Sequence, residues 1–304
     1  MKVLINNAHN ATFGGGEFYT YQVAKAISTF CDVTFMQTPN EELYKNNPQL
    51  RIKHPLIYYS ANEHYDYFLD ICHFKSIICN SADNNIKVVF FPKEDLKVAE
   101  FDEIVSITRY TKKYVEKYWN KDSAVCYPYS YDIKSLEKKE KTIVSIGNFF
   151  QEPDGHSKGF HHLIKAFINL SDGYKLTLIG HEVTPHYVRE LRELSEGLNV
   201  EIITDASEDV KRKTLGESEF YWHANGYQRT DPGQTEHFGI APEEGLKAGC
   251  LTYVFNSGGA REFCSTWNTL EELVRMTETK YKNPVDIEFQ TPEGMIEFWK
   301  SVII

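Results

Sequence analysis

Two carboxylates separated by seven residues, Glu236 and Glu244 in "TEHFGIAPEEGLKAGC" (235–250), are the residues in this chain best placed to do chemistry. Pro242 suits the first turn of a helix, because its missing N–H would have no partner there. Glu243 and Glu244 then fall in that first turn, where the helix dipole favours negative charge. Gly249 is a natural stop. Acidic residues at a helix start need no ligand, and for Glu244 alone that plain reading is preferred. The residues just upstream add information. Gly239 sits in a loop aimed at the same helix terminus, whose free amides suit an anion such as a diphosphate. A carboxylate one turn away can accept hydrogen bonds from vicinal hydroxyls, as on a ribose. A second, in the loop, can do the same for a sugar ring.

Those residues need elements to hold them, and the chain supplies an alternating set. "KVLINN" (2–7) is an apolar run of buried-strand type, followed by the glycine turn "FGGGE" and the helical "FYTYQVAKAISTF". "DVTFMQ", "PLIYYS", "SIICN" and "VVFFP" are further strand candidates, and "DEIVSI" (102–107) precedes a helix over 108–119 that Thr108 can cap. The charged, core-poor stretch 132–141 reads as a linker. Strand and helix then alternate again from "TIVSIGNFF" to "LTYVF", and the chain ends in a helix. This pattern predicts two α/β domains with parallel sheets, residues 1–135 and 136–304, the last helix being free to pack back on the first domain. In such sheets ligands bind at the carboxyl ends of the strands.

Composition narrows the classes. The chain has 304 residues, 41% hydrophobic and 25% charged, with a formal net charge of −10. Acidity argues against nucleic-acid binding. Six cysteines (Cys31, Cys72, Cys79, Cys126, Cys250, Cys264) form no C-x-x-C pair and read as buried hydrophobes of a reducing compartment. The opening run is too short for a signal peptide, so a cytoplasmic protein is expected. No apolar stretch is long enough to span a bilayer.

The segment 221–250, "YWHANGYQRTDPGQTEHFGIAPEEGLKAGC", resembles the donor-binding segment of the retaining glycosyltransferases of family four, marked by Glu, seven residues, Glu. "SIGNFFQEPDGHSKGFHHLIKAF", "SITRYTKKYVEKYW", "FNSGGARE" and "FGGGE" resemble further ordered motifs of that family. The resemblance implies the GT-B fold, two Rossmann-like domains with parallel sheets facing a central cleft. It implies transfer of a hexose from a UDP- or GDP-linked sugar to a glycan or lipid-linked acceptor, with no cofactor and no metal. Peripheral membrane contact is open for a lipid-linked acceptor, although the acidic balance gives it no support.

By that resemblance Glu244 would hold the ribose hydroxyls and Glu236 the transferred sugar. Backbone amides of Phe238, Gly239 and Ile240 would face sugar and diphosphate. Lys158 would stabilise charge on the departing diphosphate, and Gly15 and Gly16 would lie beside it. The family places Arg where this chain has Asn148, so one leaving-group cation is missing. Arg229 and Arg261 are the nearest substitutes. A nucleotide-sugar-binding subunit with little or no turnover is therefore a second expectation. His64 reads as a surface histidine or, less readily, as a first-domain histidine near the sugar. His161 and His162, being adjacent, are expected on different helix faces and show no metal-ligand spacing. "KRK" (211–213) reads as a solvated helix face, and "YWHANGY" as core.

Overall fold

The computed structural model of the chain describes residues 1–6, 14–37, 63–71, 76–94, 98–137, 139–153, 157–282 and 289–304. They divide into two compact units, Met1–Tyr129 with Glu288–Ile304, and Ser130–Ile287. The change of unit falls at Tyr129/Ser130 rather than after residue 135. Among the described residues, no helix is long and apolar enough to cross a membrane.

The first unit is built on β1 (Lys2–Asn6), β2 (Asp32–Phe35), β3 (Tyr65–Asp70), β4 (Ala82–Val89), β5 (Glu103–Ser106) and β6 (Ala124–Val125), in the order β2-β1-β3-β4-β5-β6. All neighbouring strands are parallel. Val3, Leu4 and Ile5 are fully buried, as a strand covered on both faces requires. α1 (Gly15–Ile27) follows β1, and α2 (Arg109–Trp119) follows β5. Thr108 caps α2 as expected, its side chain accepting from the Thr111 amide.

Two expectations here need correcting. "SIICN" (76–80) forms no strand, and the strand lies earlier, in "YDYFLD". Its charged residues hide it in the sequence. Asp70 is tolerated in the core because Lys87 Nζ lies 2.7 Å from Oδ2 and Asn6 Nδ2 donates to Oδ1 at 2.7 Å. β4 likewise starts at Ala82, well before "VVFFP", through the polar "ADNN". "PLIYYS" (55–60) lies outside the described residues.

The second unit carries β7 (Lys139–Ile146), β8 (Lys175–Gly180), β9 (Val200–Thr204), β10 (Ser218–His223), β11 (Leu251–Phe255) and β12 (Ser265–Trp267), ordered β12-β11-β10-β7-β8-β9 and all parallel. Its helices are α3 (Phe160–Phe167), α4 (Pro185–Leu194), α5 (Glu208–Glu217), α6 (Ile240–Lys247) and α7 (Leu270–Glu278). Side chains alternate between two apolar layers. Ile143, Phe220 and Trp222 pack with α3, α4 and α7. Val144, Tyr221 and Ile179 pack with Leu215 and Ala248 on the other face. Each such large side chain, once buried, contributes roughly 1.5–3 kcal/mol before entropy is counted. The sequence reading did not anticipate β12 and α7.

The strand order reverses between β7 and β10. From β7 the chain winds outward through β8 to β9, then returns to the other side of β7 and winds through β11 to β12. Such a switch point opens a crevice at the carboxyl ends of its two strands. The terminal helix α8 (Pro292–Ile303), capped by Thr291, belongs to the first unit. It packs against α1, and its Ile303 carbonyl accepts from the Tyr67 hydroxyl at 2.8 Å. Cys31, Cys79, Cys126, Cys250 and Cys264 are buried free thiols.

Candidate donor site

The switch point of the second unit gathers the polar residues. β7 ends at Ile146 and continues into Gly147 and Asn148. A Cβ on Gly147 would lie 2.5 Å from Lys158 Cγ, so glycine leaves room for the lysine stem to cross the strand end. Gly159 takes φ +66 ahead of α3, a left-handed turn that suits glycine, and a Cβ there would press on the Ala224 carbonyl at 3.2 Å. These two glycines set the path of Lys158.

Lys158 Nζ lies 2.7 Å from Glu236 Oε2. That same oxygen faces His223 Nε2 at 3.1 Å and accepts from Asn225 Nδ2 at 3.3 Å. His223 closes β10, Asn225 lies just beyond it and Lys158 lies in the loop between β7 and α3, so three donors converge on one carboxylate oxygen. Burial opposes the charge on Glu236, but the Lys158 ammonium and the His223 hydrogen bond hold its pKa well below the usual carboxylate value. Burial lowers the pKa of His223, against the pull of Glu236, so the neutral ring donates through Nε2.

The backbone of Glu236 is fixed by the glycine loop 257–259. The Gly259 amide donates to the Glu236 carbonyl at 2.8 Å. Gly258 takes φ +72, and a Cβ there would sit 2.1 Å from that carbonyl oxygen. The loop that resembled a later family motif therefore clamps the Glu236 backbone.

Downstream, Gly239 adopts φ +98 as the N-cap of α6, and the helix starts at Ile240, earlier than Pro242 implied. Phe238 is buried against Phe263, ring centroids 5.1 Å apart. Glu243 occupies the first turn and Glu244 lies one residue deeper. Glu244 Oε1 accepts from Lys211 Nζ at 3.2 Å, which corrects the reading of Lys211 as solvated. Burial raises the pKa of Glu244, opposed by the charge of Lys211. Glu243, fully buried, takes the Ser130 amide at 2.6 Å and lies 3.1 Å from Lys247 Nζ.

The remaining candidates are placed as follows. Asn148 is half-buried at the end of β7. Arg229 is engaged by Glu152, Nη2 to Oε1 at 3.3 Å, and Arg261 is exposed. Gly15 and Gly16 open α1 in the other unit, where the Glu17 carboxylate accepts from the Gly14 amide at 3.0 Å. His64 is exposed beside Asp83 and precedes β3, at the amino ends of the strands, opposite the end at which the glycine turn follows β1. His223, Asn225 and Lys211 were missed as site residues. For His223 and Asn225 the usable signal was their position at the carboxyl end of a strand.

The family model of glycosyl transferases group 1 matches residues 131–270. No curated protein sequence matches the chain. Among solved structures, Alr3699/HepE of Anabaena in complex with UDP is similar over 92% of this chain and 89% of its own, at 16% identity and a TM-score of 0.67. The lipopolysaccharide outer core galactosyltransferase WaaB is similar over 98% and 95%, at 15% identity and a TM-score of 0.64. AviGT4, a glycosyltransferase of avilamycin A biosynthesis, is similar over 97% and 91%, at 13% identity and a TM-score of 0.59. With its two parallel six-stranded sheets, the chain has the α/β GT-B fold.

Proposed function

We propose that the protein is a retaining glycosyltransferase that moves a hexose from a nucleoside diphosphate sugar to an acceptor hydroxyl on a glycan or lipid-linked substrate. The observation that carries this reading is the Lys158–Glu236 pair at the switch point, within the segment matched by the family model. UDP is the favoured nucleotide, because Alr3699/HepE was solved with UDP and with UDP-glucose.

In this reading the diphosphate draws Lys158 and the first amides of α6, and Lys158 stabilises the charge that builds as the sugar bond breaks. Glu236, kept ionised by its donors, takes hydroxyls of the transferred sugar. Glu244 takes the ribose diol and shares its charge with Lys211. The acceptor oxygen attacks on the face the diphosphate leaves, and the diphosphate helps take the proton. No protein nucleophile and no metal is required by this scheme. The protein supplies orientation and charge.

Asn148 favours a second reading, a nucleotide-sugar-binding subunit with little turnover. The cation that the resemblance places at position 148 is then missing beside Lys158, and Arg229, one of its two nearest substitutes, is held by Glu152. Incubation with UDP- and GDP-sugars, with and without acceptor extract, separates the two. Release of nucleoside diphosphate and a product of unchanged anomeric configuration by NMR support the transferase. Donor binding without release supports the subunit.

A further inference from the structure

Outside the donor residues, the first turn of α3 brings two adjacent imidazoles together. His161 and His162 were expected on different helix faces, yet their ring centroids are 3.8 Å apart. Each Nε2 lies 3.7 Å from Glu152 Oε2. The three ligand atoms all fall within 4.8 Å of one another. We propose that Glu152, His161 and His162 form a binding site for a divalent transition-metal ion of the zinc class.

Four observations carry this. The spacing is close to what an ion needs: bonds of about 2.0–2.1 Å in a tetrahedral shell put neighbouring ligand atoms about 3.3–3.4 Å apart. Glu152 Oε2, at 3.7 Å, is a few tenths of an ångström from that separation to each ring nitrogen, and the two ring nitrogens lie within 4.8 Å of each other. His162 is 4% exposed, and its Nε2 has no hydrogen-bond partner although it points at the cluster. A buried ring nitrogen left this way calls for a ligand. Glu152 divides its oxygens, Oε1 on Arg229 and Oε2 facing both rings, so an ion on Oε2 leaves the Arg229 contact in place. Finally, His161 Nδ1 lies 3.0 Å from the Tyr187 hydroxyl. In the Nδ1–H tautomer that contact fixes the ring and leaves the Nε2 lone pair outward, the usual support for a metal-bound histidine.

Two imidazoles and one carboxylate select zinc, nickel or cobalt over magnesium or calcium, which prefer all-oxygen shells. Three protein ligands leave a position for water or an exogenous group. A cavity of about 370 Å³ lined by Gln151, Glu152, His161, Tyr187 and Glu190 gives access to it. A bound ion ties the segment after β7 to the first turn of α3, the two stretches that flank Lys158. Its place is positional, and none of its ligands is among the residues around Glu236.

The test uses untagged full-length protein stripped with chelator, then titrated with ZnCl₂ by calorimetry and with CoCl₂ by visible absorption. One equivalent is expected to bind with micromolar or tighter affinity and to give the intense cobalt bands of a low-coordinate site. His161→Gln and Glu152→Gln, both at half-buried positions, are expected to weaken zinc at least about tenfold. Tyr187→Phe is expected to weaken it by up to about tenfold through loss of ring orientation. Absence of stoichiometric binding, or binding unchanged in His161→Gln, overturns the proposal. Should a variant not fold, anomalous scattering from zinc-soaked wild-type crystals decides. A peak bonded to Glu152 and both histidines supports the site, and a peak elsewhere refutes it.

Discussion

Lys158 Nζ and Glu236 Oε2 stand 2.7 Å apart, one from the loop ahead of α3 and the other from the loop ahead of α6. The pair brings opposite charges to the point where the strand order reverses. Either charge left alone there would be costly, since both side chains are largely buried. In the proposed reading each partner meets a ligand group in place of the other: the diphosphate anion beside Lys158, and neutral sugar hydroxyls donating to the Glu236 carboxylate.

Removing the cation separates binding from chemistry. Lys158→Ala is expected to lower kcat by roughly 10²–10³, as loss of a leaving-group or oxyanion contact does. Donor affinity is expected to fall much less. Steady-state kinetics and calorimetry on the same preparation check both. A loss of donor affinity with kcat unchanged would place Lys158 in ground-state binding alone.

Gly147→Ala tests the path of the lysine without touching its charge. A Cβ would lie 2.5 Å from Lys158 Cγ, near the root of the side chain, so the lysine must move. Turnover is expected to fall towards the Lys158→Ala value with the circular dichroism spectrum unchanged. Gly180→Ala behaves differently. Its Cβ would sit 1.8 Å from the Gly147 carbonyl oxygen, a backbone clash. It is expected to destabilise the fold by at least about 1–3 kcal/mol, read by urea denaturation.

His223→Phe removes one of the groups that keep Glu236 ionised. Glu236 then loses a hydrogen bond that lowers its pKa, so it protonates at higher pH. The acid limb of the kcat/KM profile is expected to move to higher pH than in the wild type. An unmoved limb would mean that Glu236 ionisation does not govern the rate.

Much of this site was legible in the sequence, for identifiable reasons. Glu236, Glu244 and Lys158 are reached through the resemblance to ordered family motifs, with Gly239 and Pro242 marking the helix start by residue type, and the apolar strand runs of the second unit stand out because both sheet faces are covered. His223 and Asn225 were not legible, because an aromatic-rich strand such as "FYWH" reads as core and only the strand order shows that its end meets β7. Lys211 looked solvated because its partner Glu244 lies 33 residues away. β3 was hidden by Asp70, whose partner Lys87 is a strand away. In each case the missing information was a long-range polar contact, which residue type and periodicity do not encode.

Glu243 gives the stability a definite pH slope. Burial raises its carboxyl from 4.5 to about 7, with Lys247 opposing. The folded state therefore holds a proton that the unfolded chain has released. That contribution is present below about pH 4.5 and is lost as pH rises through about 7. Relative to Glu243→Gln, the wild type is expected to lose on the order of 1–3 kcal/mol across this window. Urea denaturation of both proteins between pH 5 and pH 8 measures it. A difference that grows in the wild type's favour with rising pH would contradict the assignment.

The central claim is that the second unit holds a sugar-bearing nucleoside diphosphate, with Glu244 on its ribose. Isothermal titration of wild type and Glu244→Ala with UDP and with UDP-glucose tests it most directly. Two lost charge-assisted hydrogen bonds are expected to weaken both ligands by at least about tenfold, at roughly 1.5–3 kcal/mol for each such bond before compensation by water. Equal affinity of the two proteins for both ligands would contradict the account.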